Sequence, residues 1–268
     1  MSQAPQKPFY FAEERQRKIV EILREQGKII VPRLCEYFNV SPATIRNDLH
    51  ELEESGLLKR THGGAILNTQ VTFEPNSMQK EVKNVAAKRA IAAAALDLIN
   101  DGDAIAIDTG TTTAELVRLL SSKNHLTIVV NDIQLATLLE NSVNGNIVVI
   151  GGLLKKGFHC MVGPMAISNM RDLRVDKAFI ATNGLTLNGL STPDMYQAES
   201  KKAMIHIANR VIVLADSSKF GVSSFISYAA LNDIEQLITD SCADANMVRD
   251  LRDRGIAVTL ASIQEEES

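Results

Sequence analysis

Apolar positions follow two different periods along the chain, and the change of period divides it. In Val40-Ser41-Pro42-Ala43-Thr44-Ile45-Arg46-Asn47-Asp48-Leu49-His50-Glu51-Leu52, the residues Ile45, Leu49 and Leu52 recur at the spacing of one buried helical stripe. Ser41 suits an N-cap and Pro42 the first helical position. That leaves Ala43, Thr44, Arg46, Asn47 and His50 facing outward. Short polar groups at the start of a helix, with Arg and Asn further on, suit contact with base edges in a major groove. An ordinary amphipathic helix with a solvated face has the same pattern.

The neighbours of this stretch narrow the choice. From Glu13 the pattern is helical, with Ile19, Val20, Ile22 and Leu23 on one side, and Gly27 ends it. A short helix is predicted over 32–38, through Leu34, Cys35 and Phe38, and Asn39-Val40 turns the chain into the capped helix. Helix, short helix, turn and capped helix is a helix-turn-helix order. After Gly56, two short apolar arms flank Gly63-Gly64, and paired glycines permit the positive φ of a hairpin turn. Behind such a helix the hairpin is a wing, with Lys59, Arg60, His62 and Gly63 suited to phosphates or a minor groove. A solvated hairpin is the alternative.

Residues 68–84 are polar, unpatterned and contain Pro75, as a linker does. A helical block then runs over 85–100 and stops at Gly102. Beyond it, apolar runs at 104–107, 126–130, 147–150, 178–181, 211–215, 237–238 and 257–260 alternate with helical stretches. Val- and Ile-rich runs without polar alternation suit strands covered on both faces, hence a largely parallel sheet between helices. Such sheets bind ligands at the carboxyl ends of their strands. Just past the runs stand Asp108-Thr109-Gly110-Thr111-Thr112-Thr113, Asn131-Asp132, Gly151-Gly152, Thr182-Asn183-Gly184 and Asp216-Ser217-Ser218-Lys219. The first of these clusters places hydroxyls and free backbone N–H groups where an anion sits well, and a phosphate is the simplest occupant. A capped turn without a ligand is the alternative. Lys155 and Lys156 are within reach of the same anion or simply solvated, and Glu199 with Lys202 has the spacing of a surface ion pair.

Composition constrains this picture only loosely. The chain has 268 residues, enough for a large and a small domain, and its formal charge of −4 is unusual for a DNA binder. Residues 13–62 hold nine basic and nine acidic side chains, so the negative excess lies in the larger remainder. Charge therefore predicts weak non-specific binding that depends on a few well-placed cations. Trp is absent, which leaves no stacking platform for single strands. Cys35, Cys160 and Cys242 are widely spaced, which favours reduced thiols over a zinc site or a disulfide framework. No apolar run reaches membrane-span length and residues 1–10 lack the regions of a secretion signal, so a cytoplasmic protein with no membrane partner is expected.

The segment 15–65 resembles the winged helix-turn-helix of the DeoR family of bacterial transcriptional regulators. The resemblance rests on Arg17-Lys18-Ile19, on Val40 to Leu49, and on Arg60-Thr61-His62-Gly63-Gly64-Ala65. By resemblance Ser41, Thr44 and Arg46 contact DNA, Asp48 orients a neighbouring cation, and Asn47 helps to select the operator. The remainder is similar to the sensor domain of the same family, through Asp108-x-Gly110-Thr111-Thr112, Asn131, Gly151-Gly152, Asn183-Gly184, Ser191-Thr192, Glu199-x-x-Lys202 and the stretch from Asp216 to Gly221. This implies an α/β fold related to ribose-5-phosphate isomerase and coenzyme A transferases. It also implies a pocket in which Asp108 to Thr113 cradle phosphate or sugar hydroxyls, lined by Asn131, Asn183, Glu199, Lys202 and Lys219. Thr192-Pro193-Asp194-Met195 departs from the family's usual Thr followed by polar Asn and Glu, which bears on the effector's identity.

The expected layout is a tail over 1–12, a winged helix-turn-helix over 13–67, a linker over 68–84 and an effector-sensing, oligomerising domain over 85–268. The expected function is a non-enzymatic repressor of a carbohydrate-related operon. It binds a double-stranded operator as a homodimer or homotetramer, uses no metal or cofactor, and responds to a phosphorylated sugar or related metabolite. An isomerase-like enzyme carrying a DNA-binding module is the alternative.

Overall fold

The computed structural model describes residues 10–54, 57–67 and 71–263. Most of the expected tail (1–9), Gly56, the linker residues 68–70 and residues 264–268 lie outside the described residues, as do the side chains of Arg17 and Arg24. The chain divides into two units, Met1–Pro75 and Asn76–Ser268.

The first unit holds α1 (Ala12–Gln26), β1 (Lys28–Ile30), α2 (Val31–Phe38), α3 (Pro42–Glu54), β2 (Leu58–Thr61) and β3 (Gly64–Leu67). Its core gathers Ile19 and Leu23 of α1, Leu34 and Phe38 of α2, the stripe Ile45, Leu49 and Leu52 of α3, and Leu58 of β2. The tail expectation stops too late: Tyr10 stacks edge-on against Phe38, with ring centroids 5.3 Å apart, and its carbonyl accepts from Arg15 Nη1 at 3.2 Å.

The wing differs from expectation in two ways. Its sheet has a third strand, β1, in the order β1-β3-β2, all antiparallel. Its turn is at His62-Gly63, one residue earlier than expected, and neither Gly63 nor Gly64 has a left-handed φ. Gly64 is required for a different reason: a Cβ there would lie 1.8 Å from the Ile29 carbonyl oxygen, so a side chain would push β3 off β1.

The second unit contains α4 (Ser77–Glu81), α5 (Val85–Leu96), β4 (Ala104–Ile107), α6 (Thr111–Leu119), β5 (Asn124–Val130), α7 (Ile133–Glu140), β6 (Asn144–Val149), β7 (Leu153–Lys155), β8 (Cys160–Val162), α8 (Pro164–Met170), β9 (Val175–Ala181), β10 (Gly184–Thr186), β11 (Gly189–Thr192), α9 (Met195–Ile207), β12 (Ala208–Leu214), β13 (Ile226–Ala229), β14 (Gln236–Asp240), α10 (Ala245–Asp253) and β15 (Ala257–Ala261). Part of the stretch read as linker is thus helical: α4 is capped by Asn76, whose Oδ1 accepts from the Gln79 amide at 2.9 Å.

Each of the seven apolar runs marks a strand of one parallel sheet, in the order β15-β14-β12-β9-β4-β5-β6. Two apolar clusters account for their composition, Ile105, Ile107, Ile128, Phe179 and Ile212 belonging to one and Ala106, Val129, Ala178, Ile180 and Val213 to the other. Alternate residues of a strand point to opposite faces, so both faces are covered. The chain enters the sheet at β4, winds out to β6 and returns to β9 beside β4. The strand order therefore reverses between β4 and β9, and the crevice at such a reversal is where open α/β sheets bind ligands.

Candidate functional site

Each unit carries one candidate site. In the first, α3 is capped by Ser41, whose Oγ accepts from the Thr44 amide at 3.1 Å and lies 2.9 Å from Thr44 Oγ1. Both hydroxyls thus engage each other at the start of the helix. Ala43, Arg46, Asn47 and His50 are exposed, and Thr44 is half-buried. Lys59 and Arg60 on β2 and His62 and Gly63 in the turn are exposed too. Arg46, Arg60, His62 and Gly63 line one groove of about 500 Å³, together with Pro32 of α2 and Pro42 of α3. Cations from the helix and from the wing therefore meet on one surface, as phosphate contact requires.

Asp48 takes no part in that surface. It is 3% exposed and receives Arg15 through two bonds, Nε to Oδ2 at 2.5 Å and Nη2 to Oδ1 at 2.9 Å. This bidentate pair fixes α1 to α3 and holds the Arg15 guanidinium above its ordinary pKa, chiefly through the hydrogen bond to Asp48.

In the second unit, polar strand ends come together around the start of α6. Asp108, at the end of β4, is 1% exposed; its Oδ2 accepts from the Ala181 amide at 3.1 Å and from the ammonium of Lys201. Burial outweighs those partners and holds the Asp108 carboxyl above the usual carboxylate range. Gly110 lies where β4 and β9 crowd, and a Cβ there would come within 2.7 Å of the Ala181 Cβ. Among the described residues no side chain caps α6, and its first intrahelical bond runs from the Ala114 amide to the Gly110 carbonyl. The amides of Thr111, Thr112 and Thr113 therefore remain available at the positive end of the helix dipole. Thr113 Oγ1 donates back to the Gly110 carbonyl at 2.8 Å and Thr112 is buried, which leaves half-buried Thr111 as the accessible hydroxyl.

Further polar groups adjoin. Thr109 Oγ1 donates to Asp132 at 2.5 Å and to the Phe158 carbonyl at 3.3 Å, which ties β4 to the end of β5. Asn131 donates to the Met161 carbonyl at 3.2 Å, while its Oδ1 and Asp108 Oδ1 are buried without a hydrogen-bond partner among the described residues. Lys155 pairs with Asp194 at 3.3 Å and stands 4.0 Å over the Phe158 ring, and Lys80 stands 5.6 Å from the same ring.

On the side of β12, Asp216 accepts from Asn84 Nδ2 at 2.8 Å and lies 3.8 Å from Lys219. Burial pushes the Asp216 carboxyl up, but Lys219, Ser218 and Asn84 together prevail and hold it below the usual range. Lys88 of α5 is 4% exposed, and burial, aided by Lys219 and opposed by Asp216, pulls its ammonium from 10.5 to about 8.

Several expected residues have other positions. Glu199 and Lys202 pair with each other at 2.8 Å on the exposed side of α9 and are not part of the strand-end cluster. Lys201 takes the inward place because Ala198, Lys201, Met204 and Ile207 form the buried stripe of α9. Thr192 is fully buried, its hydroxyl shared between Asn183 Oδ1 at 3.0 Å and Gln197 Oε1 at 3.3 Å, so it positions Asn183 from beneath. Gly184 is enclosed, with a Cβ position 2.3 Å from the Val222 carbonyl oxygen. Gly151 receives Asn169 at 3.4 Å, and Gly152 packs on Val162 and Ala166; both are occupied with β8 and α8. Sequence reasoning overlooked Lys80 of α4, in the stretch read as linker, and the two buried cations Lys88 and Lys201. The signal for each of the buried two was a lysine in register with an apolar helical stripe, Lys88 with Ile91 and Ala95 and Lys201 with Ala198 and Met204.

Among the described residues, no helix is long and apolar enough to cross a membrane. Residues 15–71 match the DeoR-like helix-turn-helix domain, and residues 83–241 match the DeoR C-terminal sensor domain. The HTH-type transcriptional regulator GlpR of Haloferax volcanii is 38% identical over 91% of this chain and 96% of its own length. The transcriptional repressor AccR of Agrobacterium fabrum is 37% identical over 87% of this chain and 91% of its own. A solved structure of D-ribose-5-phosphate isomerase with phospho-erythronic acid aligns over 50% of this chain and 52% of that chain, at 21% identity and a TM-score of 0.38. The chain belongs to the DeoR family of transcriptional regulators, a DNA-binding helix-turn-helix joined to a sensor domain for a small-molecule effector.

Proposed function

We propose that this chain represses a carbohydrate-related operon and that a phosphorylated sugar, held at the start of α6, changes its affinity for the operator. The observation that carries the reading is the uncapped N-terminus of α6 at the β4/β9 reversal, with Lys80, Lys88, Lys155 and Lys219 in the surrounding elements. Backbone amides at the positive end of a helix suit a phosphate, and the acceptor oxygens of Asp108 and Asn131 suit the hydroxyls of a sugar. The reading assigns no catalytic step, since Asp108 and Lys201 are engaged with each other and with the backbone of Ala181. A homodimer or homotetramer would match paired half-sites on the operator.

The test is fluorescence anisotropy on labelled DNA from upstream of the regulated genes, at fixed salt, titrated with sugar phosphates and their unphosphorylated parents. One phosphate shifting the affinity while its parent does not is the expected result; indifference to the whole panel refutes the effector. In the same assay Arg46→Ala weakens specific binding by about 10-fold to 100-fold, the ~1–3 kcal/mol of a base-edge contact, and leaves ligand-induced stabilisation of the sensor domain unchanged. Loss of both would make Arg46 a structural residue. Thr111→Ala, which removes a half-buried hydroxyl, leaves operator binding intact and weakens the response to ligand. An unaltered response removes Thr111 from the site.

A further inference from the structure

Lys88 is an expensive residue to keep where it is. It is 4% exposed, and among the described residues no carboxylate comes within ion-pairing distance of it. Its ammonium instead donates to a neutral acceptor, the carbonyl of Lys80 in the last turn of α4. A buried lysine is ordinarily paired or discharged, so an ammonium kept on a backbone carbonyl lacks the partner that would repay its desolvation.

The charged groups around it come from each neighbouring element: Lys80 from α4, Glu115 from α6, and Asp216 and Lys219 from the turn after β12. Two of the acids are already engaged. Asp216 holds Asn84, Ser218 and Lys219, and Glu115 holds Arg118 at 2.7 Å with Arg89 at 3.9 Å. On β14, which also packs against α5, Asp240 accepts from the amides of Ser217 and Cys242 at 2.6 and 2.9 Å. Both α4 and α5 pack on α6, whose free amides add further positive potential. The local excess is cationic.

The Lys88 bond also holds an element with a particular place in the chain. Short α4 is the first element of the sensor unit, directly after the division at Pro75. Bonds from around the site hold it, among them Lys88 to the Lys80 carbonyl, the Ser77 amide to the Gly157 carbonyl at 3.0 Å, and Gln134 to Glu81 at 3.2 Å.

We propose that Lys88 is the switch cation of the sensor site: a phosphate dianion seated at the start of α6 draws the Lys88 ammonium off the Lys80 carbonyl and so loosens α4. This rests on the reading of that site as the effector pocket and adds how occupancy leaves it. The ligand has a differential interaction with the two states, because Lys88 meets a dianion in one and a neutral carbonyl in the other. It predicts a preference for a phosphate monoester over a monoanionic carboxylate, since the Lys88 ammonium and a helix terminus then share the same charge.

The experiment uses the full chain and inorganic phosphate as the probe, by calorimetry at about pH 8 in two buffers of different ionisation enthalpy. Because burial lowers the Lys88 ammonium to about 8 and a dianion returns it to its charged form, the wild type takes up a fraction of a proton on binding. Lys88→Arg, always charged, binds phosphate without that uptake, and Lys88→Met binds at least about tenfold more weakly. Hydrogen exchange in Ser77–Glu81 rises on phosphate binding to the wild type and is already high in ligand-free Lys88→Met. Phosphate binding by Lys88→Met with wild-type affinity and proton uptake overturns the proposal while leaving the pocket in place. Unchanged exchange in α4 overturns the latch. If neither phosphate nor any sugar phosphate binds the wild type, the pocket itself is wrong and the switch falls with it.

Discussion

Arg15→Leu unfolds the amino-terminal unit of the full chain and abolishes operator binding, while the sensor unit melts as in the wild type. The pair it breaks is buried on both sides, with side chains 9% and 5% exposed, and its two bonds are the bidentate kind. Removing one partner of such a pair leaves an uncompensated charge, which costs about 3–5 kcal/mol. A module of this size has a net stability of only about 3–5 kcal/mol, so the loss is comparable to the whole. With Trp absent, the readout is hydrogen exchange in α1 and α3 together with circular dichroism.

The companion variant separates charge from shape. Arg15→Leu with Asp48→Leu replaces the pair by apolar side chains, and such replacements are often neutral or stabilising. Folding is therefore restored in the double variant, and operator binding with it, because neither residue lies on the outward face that carries Arg46 and Asn47. Protection of α1 and α3 that survives Arg15→Leu alone would show that the pair is peripheral to the unit's stability.

The sequence was most legible where burial imposes a period. Runs such as 104–107 and 126–130 are apolar throughout because their strands are covered on both faces, and each marked a strand. The stripe of α3 was equally plain. Short elements left no such trace: in β1 only Ile29 is buried, too few positions to define alternation, and β7, β8 and β10 have three residues each. The wing turn was misplaced because two adjacent glycines look like a turn, whereas Gly64 is there to let a neighbouring backbone approach.

In the site, residue types at strand ends were legible and helical register was not. Glu199 and Lys202 have the spacing of a conspicuous pair, and that spacing is satisfied on the surface. Lys201 and Lys88 were inconspicuous because a lysine inside an apolar stripe ordinarily bends its ammonium out to water. Here each finds a buried acceptor instead, Asp108 and the Lys80 carbonyl, and only tertiary packing places those acceptors.

Lys201→Met destabilises the sensor unit by about 3–5 kcal/mol at neutral pH, since it leaves Asp108 buried without a counter-charge. The pH dependence identifies the cause. Burial already holds the Asp108 carboxyl above its ordinary value in the folded state, and the loss of Lys201 raises it further. A carboxyl raised on folding binds its proton at a pH where the unfolded chain has released it, so folding is favoured as pH falls through the raised value. The deficit of Lys201→Met relative to wild type is therefore largest near about pH 8 and narrows toward about pH 5. Lys201→Met combined with Asp108→Asn removes both charges and recovers most of the stability at all pH values. A deficit that does not change with pH would instead trace to lost packing against Tyr228, whose ring lies 5.6 Å from the Lys201 ammonium. The pair also matters for the ligand, because Lys201 and Tyr228 donate to the Ala181 carbonyl at 2.8 and 3.2 Å while Asp108 accepts from the Ala181 amide. One ion pair thus sets the spacing of β4 and β9 at the reversal point. The double variant, stable but without that tie and with the Asp108 carboxylate replaced, should fold normally and respond weakly to the effector, which separates the function of the site from the stability of the domain that carries it.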